Sequence, residues 1–200
     1  MNQTNILSSH PSHTIIRLFD IFLSVLGLSV TAPIILIITI IGTVDTGSPI
    51  FLQKRLGKNK KIFTLIKFRT MHRDTASIAT HLASSTSVTK FGGFLRRTKL
   101  DELPQLINVL LGNMSLVGPR PGLPNQVDLT QYRDEFDIFK VRPGITGLGQ
   151  IMQVDMSTPR KLARYDSVMI TRMSVTLYIS LIFSTMLGKG SGDKIQKNKA

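Results

Sequence analysis

The sequence contains no cysteine and no tryptophan, and aromatic residues make up only 6% of its 200 residues. Without cysteine, a disulfide scaffold, a thiolate zinc site and a cysteine nucleophile are all excluded. Acidic residues are also few, 12 against 25 lysines and arginines, so the formal net charge is +13. Such a basic chain typically meets an anionic partner: a nucleic acid, an acidic membrane surface or a phosphorylated substrate. Hydrophobic residues reach 42%, too many for a disordered basic tail.

Charged residues are absent from the longest apolar run, Ile21–Val44. A helix needs roughly 20 apolar residues to span a bilayer, so this run predicts a membrane segment over residues 15–46. The run is longer than the roughly 7–15 apolar residues of a secretory signal, and a buried core helix is the alternative. Pro33 predicts a kink or break around Ser29–Pro33, where the hydroxyls of Ser29 and Thr31 would satisfy freed carbonyls. The segment therefore either spans the bilayer as a kinked helix or dips in and returns.

Cations follow the apolar run closely, whereas Arg17 stands alone before it. They are Lys54, Arg55, Lys58, Lys60, Lys61, Lys67, Arg69 and Arg73. Because cytoplasmic segments carry an excess of lysine and arginine, this asymmetry predicts that most of the chain lies in the cytoplasm.

Four regions are predicted along the chain. They are a flexible leader (1–14), the membrane segment (15–46), a globular domain (47–187) and a basic flexible tail (188–200). Within the domain, composition predicts a strand over Phe63–Arg69 and a surface loop over Ser77–Thr89. Helical spacing of leucines predicts a helix that begins near Asp101 and stops by Gly112, and Thr158-Pro159 is a typical helix start. The apolar stretch Val175–Leu187 is too short to span a bilayer and suits a core or interfacial helix.

Adjacent carboxylates at Asp101 and Glu102 follow the cationic stretch Arg96–Lys99. Acidic residues favour helix N-termini and Pro104 fits a first helical turn, so helix capping is one interpretation. In this basic setting, the pair also suits a nucleophile and a Mg²⁺ ligand, because nearby cations lower a carboxylate's pKa and keep it ionised.

Two stiff loops carry arginines. In Gly118–Gly122, two prolines flank Arg120 and fix the backbone around it, and in Val141–Gly147 a proline and a glycine follow Arg142. Arginine binds phosphate bidentately, so both side chains are candidate phosphate ligands. Plain turns with solvated arginines are the alternative.

Further candidate phosphate ligands are Lys67, Arg69 and Arg96. In a strand, Lys67 and Arg69 would share one face, which is either a ligand surface or a solvated face. The four histidines lie near the start of the chain or stand alone, and no metal role is predicted for them.

Six segments occur in the order and at the spacing of one known family. They are Ser48–Gly57, Phe63–Met71, Leu100–Leu106, Asn108–Leu110, Met114–Pro121 and Val141–Gly147. Through them the chain resembles the bacterial sugar transferases of the monotopic phosphoglycosyl transferase type, over residues 15–187. Ala32-Pro33 departs from the Ser-Pro that is frequent in this family. Leu148–Gln153 departs from the commoner Trp-Ala-Gln-Val-Asn-Gly, so no sugar is assigned.

The resemblance implies transfer of a sugar-1-phosphate from a UDP-sugar to a polyprenyl phosphate, usually undecaprenyl phosphate, with release of UMP. This reaction starts the assembly of a surface glycan or glycoprotein. The family's acidic pair falls on Asp101 and Glu102. By this resemblance, Asp101 attacks the β-phosphorus to form a phosphosugar–enzyme intermediate, and both carboxylates serve the Mg²⁺ cofactor. The residues expected to bind substrate are Lys67, Arg69, Arg96, Arg120 and Arg142.

The expected fold is α/β and mostly α: a re-entrant N-terminal membrane helix joined to a compact cytosolic domain with interfacial amphipathic helices. The expected location is the cytoplasmic face of the inner membrane. The donor, the acceptor and membrane lipid are the expected partners, nucleic acid is not, and a homodimer is left open. The main alternative is a membrane-tethered basic module that binds anionic lipid or nucleic acid, although no nucleic-acid-binding motif is present. Another is a nucleotidyl or phosphotransferase that uses the same acidic pair and is distinguished by its nucleotide product.

Overall fold

Helices dominate the part of the chain that the structure describes, and the strands there form two small sheets, which confirms the mostly α class. The computed structural model describes residues 13–75 and 87–190. Predictions for most of the leader, most of the Ser77–Thr89 loop and most of the basic tail therefore lie outside the described residues. The elements are α1 (His13–Thr46), β1 (Ile50–Leu56), β2 (Ile62–Phe68), α2 (Lys90–Thr98), α3 (Gln105–Leu110), β3 (Ser115–Val117), α4 (Val127–Glu135), β4 (Gly144–Thr146), α5 (Leu148–Ile151), α6 (Pro159–Thr171) and α7 (Val175–Met186).

The apolar segment forms one helix, α1, that continues through Pro33. Of the two predicted alternatives, a break at Pro33 is absent and a kink stays a prediction, while His13 and Thr14 of the predicted leader already belong to α1. Thr31 donates its hydroxyl to the Gly27 carbonyl at 2.6 Å, which satisfies that hydroxyl inside an apolar helix. The stretch Thr14–Thr46 is long and apolar enough to cross a membrane. Only 11% of its most apolar window is buried, which argues against the alternative of a core helix.

Polar side chains dock the N-terminal part of α1 onto the domain. Arg17 donates to the carbonyls of Val109 and Leu110, at 2.7 and 2.9 Å. These carbonyls end α3, where a cation is favourable. Asp20 is fully buried, and its Oδ1 accepts hydrogen bonds from the Ser115 hydroxyl, the Leu116 N–H and the Tyr178 hydroxyl.

The C-terminal part of α1 contacts the same domain. Ile38 is buried in a cluster with Phe68 and Leu95. Asp45 accepts a hydrogen bond from the Thr89 hydroxyl at 2.6 Å. Both ends of the apolar helix are therefore held by one domain, an arrangement that hydropathy alone does not reveal.

Replacement Tyr178→Phe tests this docking. Burial, and secondarily the neighbouring Asp20 carboxylate, raises the pKa of Tyr178, so its hydroxyl stays protonated as a donor. Loss of a hydrogen bond to a charged group is expected to lower the free energy of unfolding by about 1.5–3 kcal/mol, measured by denaturant titration in detergent. Tyr132→Phe is the control, since the Tyr132 hydroxyl has no partner among the described residues. Equal stability of the two variants would contradict the role of the Asp20 network.

A hairpin of β1 and β2 supports the segment that carries the acidic pair. The strands are antiparallel, with Ile50 opposite Phe68, and β2 confirms the predicted strand except that Arg69 follows its end. Asn108 on α3 accepts from the Ile66 N–H and donates to the Thr64 carbonyl, at 2.9 and 2.8 Å. Because this amide bonds α3 to β2, the turn just before α3 is held against the hairpin.

The helix predicted from Asp101 begins only at Gln105. Leu100–Glu102 instead forms a 3-10 turn. Pro104 has no N–H to donate to the carbonyl of Leu100, which accepts from the Leu103 N–H instead. The proline therefore separates the acidic pair from the regular helix. The helix predicted near Asp101 is confirmed as α3, but it begins later than predicted, at Gln105, and it ends before Gly112.

The remaining elements enclose the main core. β3 and β4 pair in parallel, and Val109, Met114 and Met169 are completely buried between them and the surrounding helices. The predicted helix starting at Thr158-Pro159 is confirmed as α6, and the apolar stretch Val175–Leu187 contains α7.

Candidate active site

Asp101 and Glu102 lie in the 3-10 turn between α2 and α3. Helix α2 ends at Thr98, and the left-handed backbone conformation of the following Lys99 (φ 59°) reverses the chain into the turn. Asp101 is only 7% exposed, and the Glu102 side chain is only 12% exposed. The turn therefore holds two adjacent carboxylates that are both largely shielded from solvent.

Arg120 binds Glu102. Its Nη2 lies 2.7 Å from the Glu102 Oε1, and both side chains are partly buried. The ion pair connects the acidic turn to the Pro-Arg-Pro loop (Gly118–Gly122), two segments that the sequence separates by about 16 residues. Arg120 is therefore held beside the acidic turn by a carboxylate of the protein itself, and its role as a phosphate ligand stays a prediction.

The Pro-Arg-Pro loop is fixed by its backbone. Each of four successive carbonyls accepts a hydrogen bond at 2.8–2.9 Å. In order, the donors are the Gly144 N–H to Pro119, Arg133 Nη1 to Arg120, Arg55 Nη1 to Pro121 and the Leu56 N–H to Gly122. With its prolines and all four carbonyls constrained, the loop holds the Arg120 side chain in a preset direction.

Arg133 is itself anchored in a buried ion pair that the sequence reading missed. Its Nε and Nη2 donate to Oδ2 of Asp166 at 3.1 and 2.7 Å, and the two residues are 3% and 1% exposed. Burial raises the pKa of Asp166, and the charge of Arg133 opposes that shift. Arg133 lies four positions after the buried Leu129, and Asp166 lies four positions after the buried Leu162. In each helix, a charged residue on the same face as a buried leucine was therefore the sequence signal for this ion pair.

Lys99 is a second cation beside the acidic pair. Burial lowers the pKa of Lys99, Glu102 raises it and Arg120 lowers it, so the ammonium lies within the field of both partners. Its Nζ donates to the Lys189 carbonyl at 2.7 Å, so residues of the predicted tail reach this site. The sequence contained Lys99 in a basic run but no signal that singled it out.

Lys67 and Arg69 meet at one aromatic ring, on the face predicted for them. Their charged groups lie 5.5 and 5.2 Å from the centre of the Phe51 ring. The Nε of Arg69 also donates to the Ser48 carbonyl at 2.9 Å, so part of this guanidinium supports the backbone. Lys67 is buried near the end of β2. Strand β2 contacts the 3-10 turn that carries Asp101 and Glu102.

Arg96 projects from the last turn of α2. Its Nε donates to the Thr70 hydroxyl at 2.8 Å, and its Nη1 is buried without a partner among the described residues. A buried guanidinium nitrogen without an acceptor is suited to an incoming anion.

Arg142 lies apart from the other predicted ligands. Its Nε donates to the Gly112 carbonyl at 2.9 Å, and it borders a cavity that neither Asp101 nor Glu102 lines. The structure thus brings Arg120 to the acidic pair and places Arg142 at a second location.

The acidic pair fits one type of metal. In the part of the chain that the structure describes, no cluster of three or more histidine, aspartate or glutamate residues is present. A closed site built only from protein ligands is therefore not formed there. Mg²⁺, however, is usually held by one or two carboxylates together with substrate phosphates, and Asp101 and Glu102 supply that donor set.

Comparison with known proteins gives one family. The model of the family described as "Bacterial sugar transferase" matches residues 11–189. An exopolysaccharide production protein from Rhizobium leguminosarum bv. phaseoli is 35% identical, over 86% of this chain and 94% of its own length.

Two further relatives carry names that state an activity. The UDP-glucose:undecaprenyl-phosphate glucose-1-phosphate transferase of Klebsiella pneumoniae is 40% identical over 85% of this chain. The undecaprenyl-phosphate galactose phosphotransferase of Salmonella typhimurium (strain LT2) is 32% identical over 90% of this chain. The matches cover only 39% and 41% of the length of these two relatives.

Proposed function

The chain belongs to the bacterial sugar transferase family, and we propose that it transfers a sugar-1-phosphate from a UDP-sugar to undecaprenyl phosphate, releasing UMP. The printed activities of the Klebsiella and Salmonella relatives support this reaction class. The observation that carries the proposal is that the buried Asp101 lies next to Glu102, which is ion-paired with Arg120 of the rigid Pro-Arg-Pro loop. The product would be the first lipid-linked intermediate of a surface glycan or glycoprotein.

Two displacements at one phosphorus account for the transfer. First, a carboxylate oxygen of Asp101 bonds to the β-phosphorus, and the bond to the oxygen bridging the two phosphates breaks. UMP leaves with that oxygen. Second, a phosphate oxygen of the lipid attacks the same phosphorus and the bond to Asp101 breaks, which restores the carboxylate and forms a polyprenyl diphosphate sugar. Because the enzyme holds the phosphosugar between steps, donor and acceptor need not bind together.

Cations of the site neutralise the diphosphate. Phosphoryl transfer depends chiefly on positioning and on electrostatic stabilisation of the phosphate oxygens. Arg120 and Lys99 stand beside the acidic pair, and Arg96 offers its unpartnered Nη1. Lys67 and Arg69 are further proposed phosphate ligands. When bound by Asp101 and Glu102, Mg²⁺ would neutralise charge on the diphosphate.

Replacement Glu102→Gln is expected to lower kcat for UMP release by about 10²-fold, the scale of losing one preorganised electrostatic contact. The Mg²⁺ concentration for half-maximal rate is expected to rise, and EDTA is expected to stop the wild-type enzyme. Glu135→Gln, at an exposed glutamate, is the control and should match the wild type. If Glu102→Gln needed the same Mg²⁺ concentration as the wild type, Glu102 would not be a ligand of the metal.

Contacts of α1 support a monotopic topology. Arg17 and Asp20 near one end of α1, and Asp45 at its other end, all form hydrogen bonds with the globular domain. A polar domain cannot cross the bilayer, so a helix that is bonded to it at both ends cannot span the membrane. Both ends then lie on one side, and no residue from Leu28 to Ile34 is buried, so the Pro33 region would dip deepest into the lipid. The cations after α1 favour the cytoplasmic face of the inner membrane. A homodimer stays a prediction.

An assay of nucleotide release tests the reaction class. Purified protein in detergent is incubated with undecaprenyl phosphate, Mg²⁺ and a panel of UDP-sugars that includes UDP-glucose and UDP-galactose. Release of UMP, dependent on the lipid for sustained turnover, is the expected result. Release of UDP would indicate a different transferase. Absence of either nucleotide with salt-sensitive binding to nucleic acid would indicate the non-catalytic alternative.

A further inference from the structure

A cavity of about 490 Å³ lies beside Gly118 and Pro119, the residues that precede Arg120. Its volume falls within the range of roughly 300–1,000 Å³ that is typical of small-molecule sites. The proposed chemistry at Asp101 does not account for it, because neither Asp101 nor Glu102 is among its lining residues.

The lining of the cavity divides into an apolar wall and a cationic rim. Apolar lining residues include Ile16, Val117, Met169, Ile170 and Met173. Cationic lining residues are Lys58, Lys140 and Arg142. A ligand that carries a compact anion on an apolar chain would match both parts at once.

The charges around the rim favour an anion. Lys140 is paired with Asp137 at 2.8 Å, in an exposed ion pair. Arg142 is hydrogen-bonded through its Nε, to Gly112, and no other bond from its guanidinium occurs within the described residues. The Asp20 carboxylate also borders the cavity, but its Oδ1 already accepts three hydrogen bonds. The cations therefore outnumber the single carboxylate of the lining.

The cavity lies between the membrane helix α1 and the loop that carries Arg120. Ile16 and Asp20 belong to α1, so one wall is part of the membrane segment. At the other side, Gly118 and Pro119 lead directly into Arg120, which binds Glu102. A chain entering from the bilayer along α1 would bring its head group to the Pro-Arg-Pro loop, whose Arg120 binds the acidic turn.

We propose that this cavity binds the phosphate and the first isoprene units of the polyprenyl phosphate acceptor, an assignment that rests on the proposed function. Arg142 and Lys58 hold the phosphate before it reaches the phosphosugar on Asp101 for the second displacement, and the methionine-lined wall holds the chain. Arg142 thus serves the acceptor, while Arg120 serves the donor at the acidic pair.

Matched variants test the assignment through steady-state kinetics. Lys58→Ala removes a rim cation, and Ile170→Phe fills the apolar part. Each is expected to raise the KM for undecaprenyl phosphate about tenfold, the scale of one lost charge-assisted bond or one displaced apolar group. The KM for the UDP-sugar and the exchange of labelled UMP into UDP-sugar, which needs no acceptor, should stay unchanged. Lys60→Ala and Val168→Phe are the controls, since both side chains lie nearby but outside the cavity lining.

Thermal unfolding provides a readout that is independent of turnover. The wild-type protein in detergent micelles receives undecaprenyl phosphate, undecaprenol, phosphatidylglycerol or inorganic phosphate. Only undecaprenyl phosphate is expected to raise Tm, and Lys58→Ala and Ile170→Phe should lose that shift. An equal shift with phosphatidylglycerol or inorganic phosphate, or a shift kept by both variants, would overturn the proposal. If the shift occurs as expected but no UMP is released, the proposed function fails and the cavity assignment to a lipid phosphate survives.

Discussion

Asp101→Asn is expected to lower UMP release by about 10⁴-fold or more, the scale of removing the nucleophile of a covalent enzyme. An amide of the same shape keeps the packing around this 7% exposed side chain but has no carboxylate oxygen to attack phosphorus. Membrane association should be unchanged, because α1 docks through other residues. Asp128→Asn, at an exposed aspartate on α4, is the control and should retain full activity.

Mass spectrometry separates a lost nucleophile from a damaged site. With UDP-sugar and without acceptor, the wild-type chain should gain the mass of the phosphosugar on the peptide that contains Asp101. Asp101→Asn should show no such adduct and no exchange of labelled UMP into UDP-sugar. Sustained turnover by Asp101→Asn, or an adduct on another residue, would refute the assignment of the nucleophile.

Local patterns predicted the elements whose signals lie within one stretch of sequence. The charge-free run became α1, the β-forming stretch before Arg69 became β2, and Thr158-Pro159 opened α6. Where a predicted boundary was shifted, a local effect explains it: Pro104 immediately precedes α3, so the helix that leucine spacing predicts near Asp101 begins at Gln105. At Asp101 and Glu102, the acidic pair in a basic run suited helix capping as well as chemistry, and the family resemblance supplied the predicted catalytic roles.

Contacts between segments that are distant in the sequence could not be predicted from local patterns. Asp20 reads as the edge of an apolar run, yet it is buried and bonds to Tyr178, a residue 158 positions later. Arg142 and Arg120 look alike in sequence, each beside proline, but only Arg120 bonds to the acidic turn. Spacing cannot separate these cases, because the partner of each side chain is decided by how the segments pack.

The Arg133–Asp166 pair offers the second large effect. Asp166→Leu leaves the Arg133 guanidinium buried without its counter-charge, which is expected to lower the free energy of unfolding by about 3–5 kcal/mol. The double variant Arg133→Met with Asp166→Leu replaces both charges by apolar groups and should recover most of that loss, because such replacements are often neutral. Denaturant titration of both variants and the wild type in one detergent measures the difference.

Activity of the double variant then distinguishes a positioning role from a purely structural one. Arg133 donates to the Arg120 carbonyl, so its loss frees the middle of the Pro-Arg-Pro loop even in a stable protein. Since small displacements of positioning groups cost up to about 10²-fold in rate, kcat should stay about 10- to 100-fold low, with little change in the KM for the acceptor. Arg55→Met, which frees the Pro121 carbonyl of the same loop, should lower kcat in the same direction. Full recovery of kcat together with stability would show that the buried pair only holds α4 against α6, and that Arg120 keeps its direction without it.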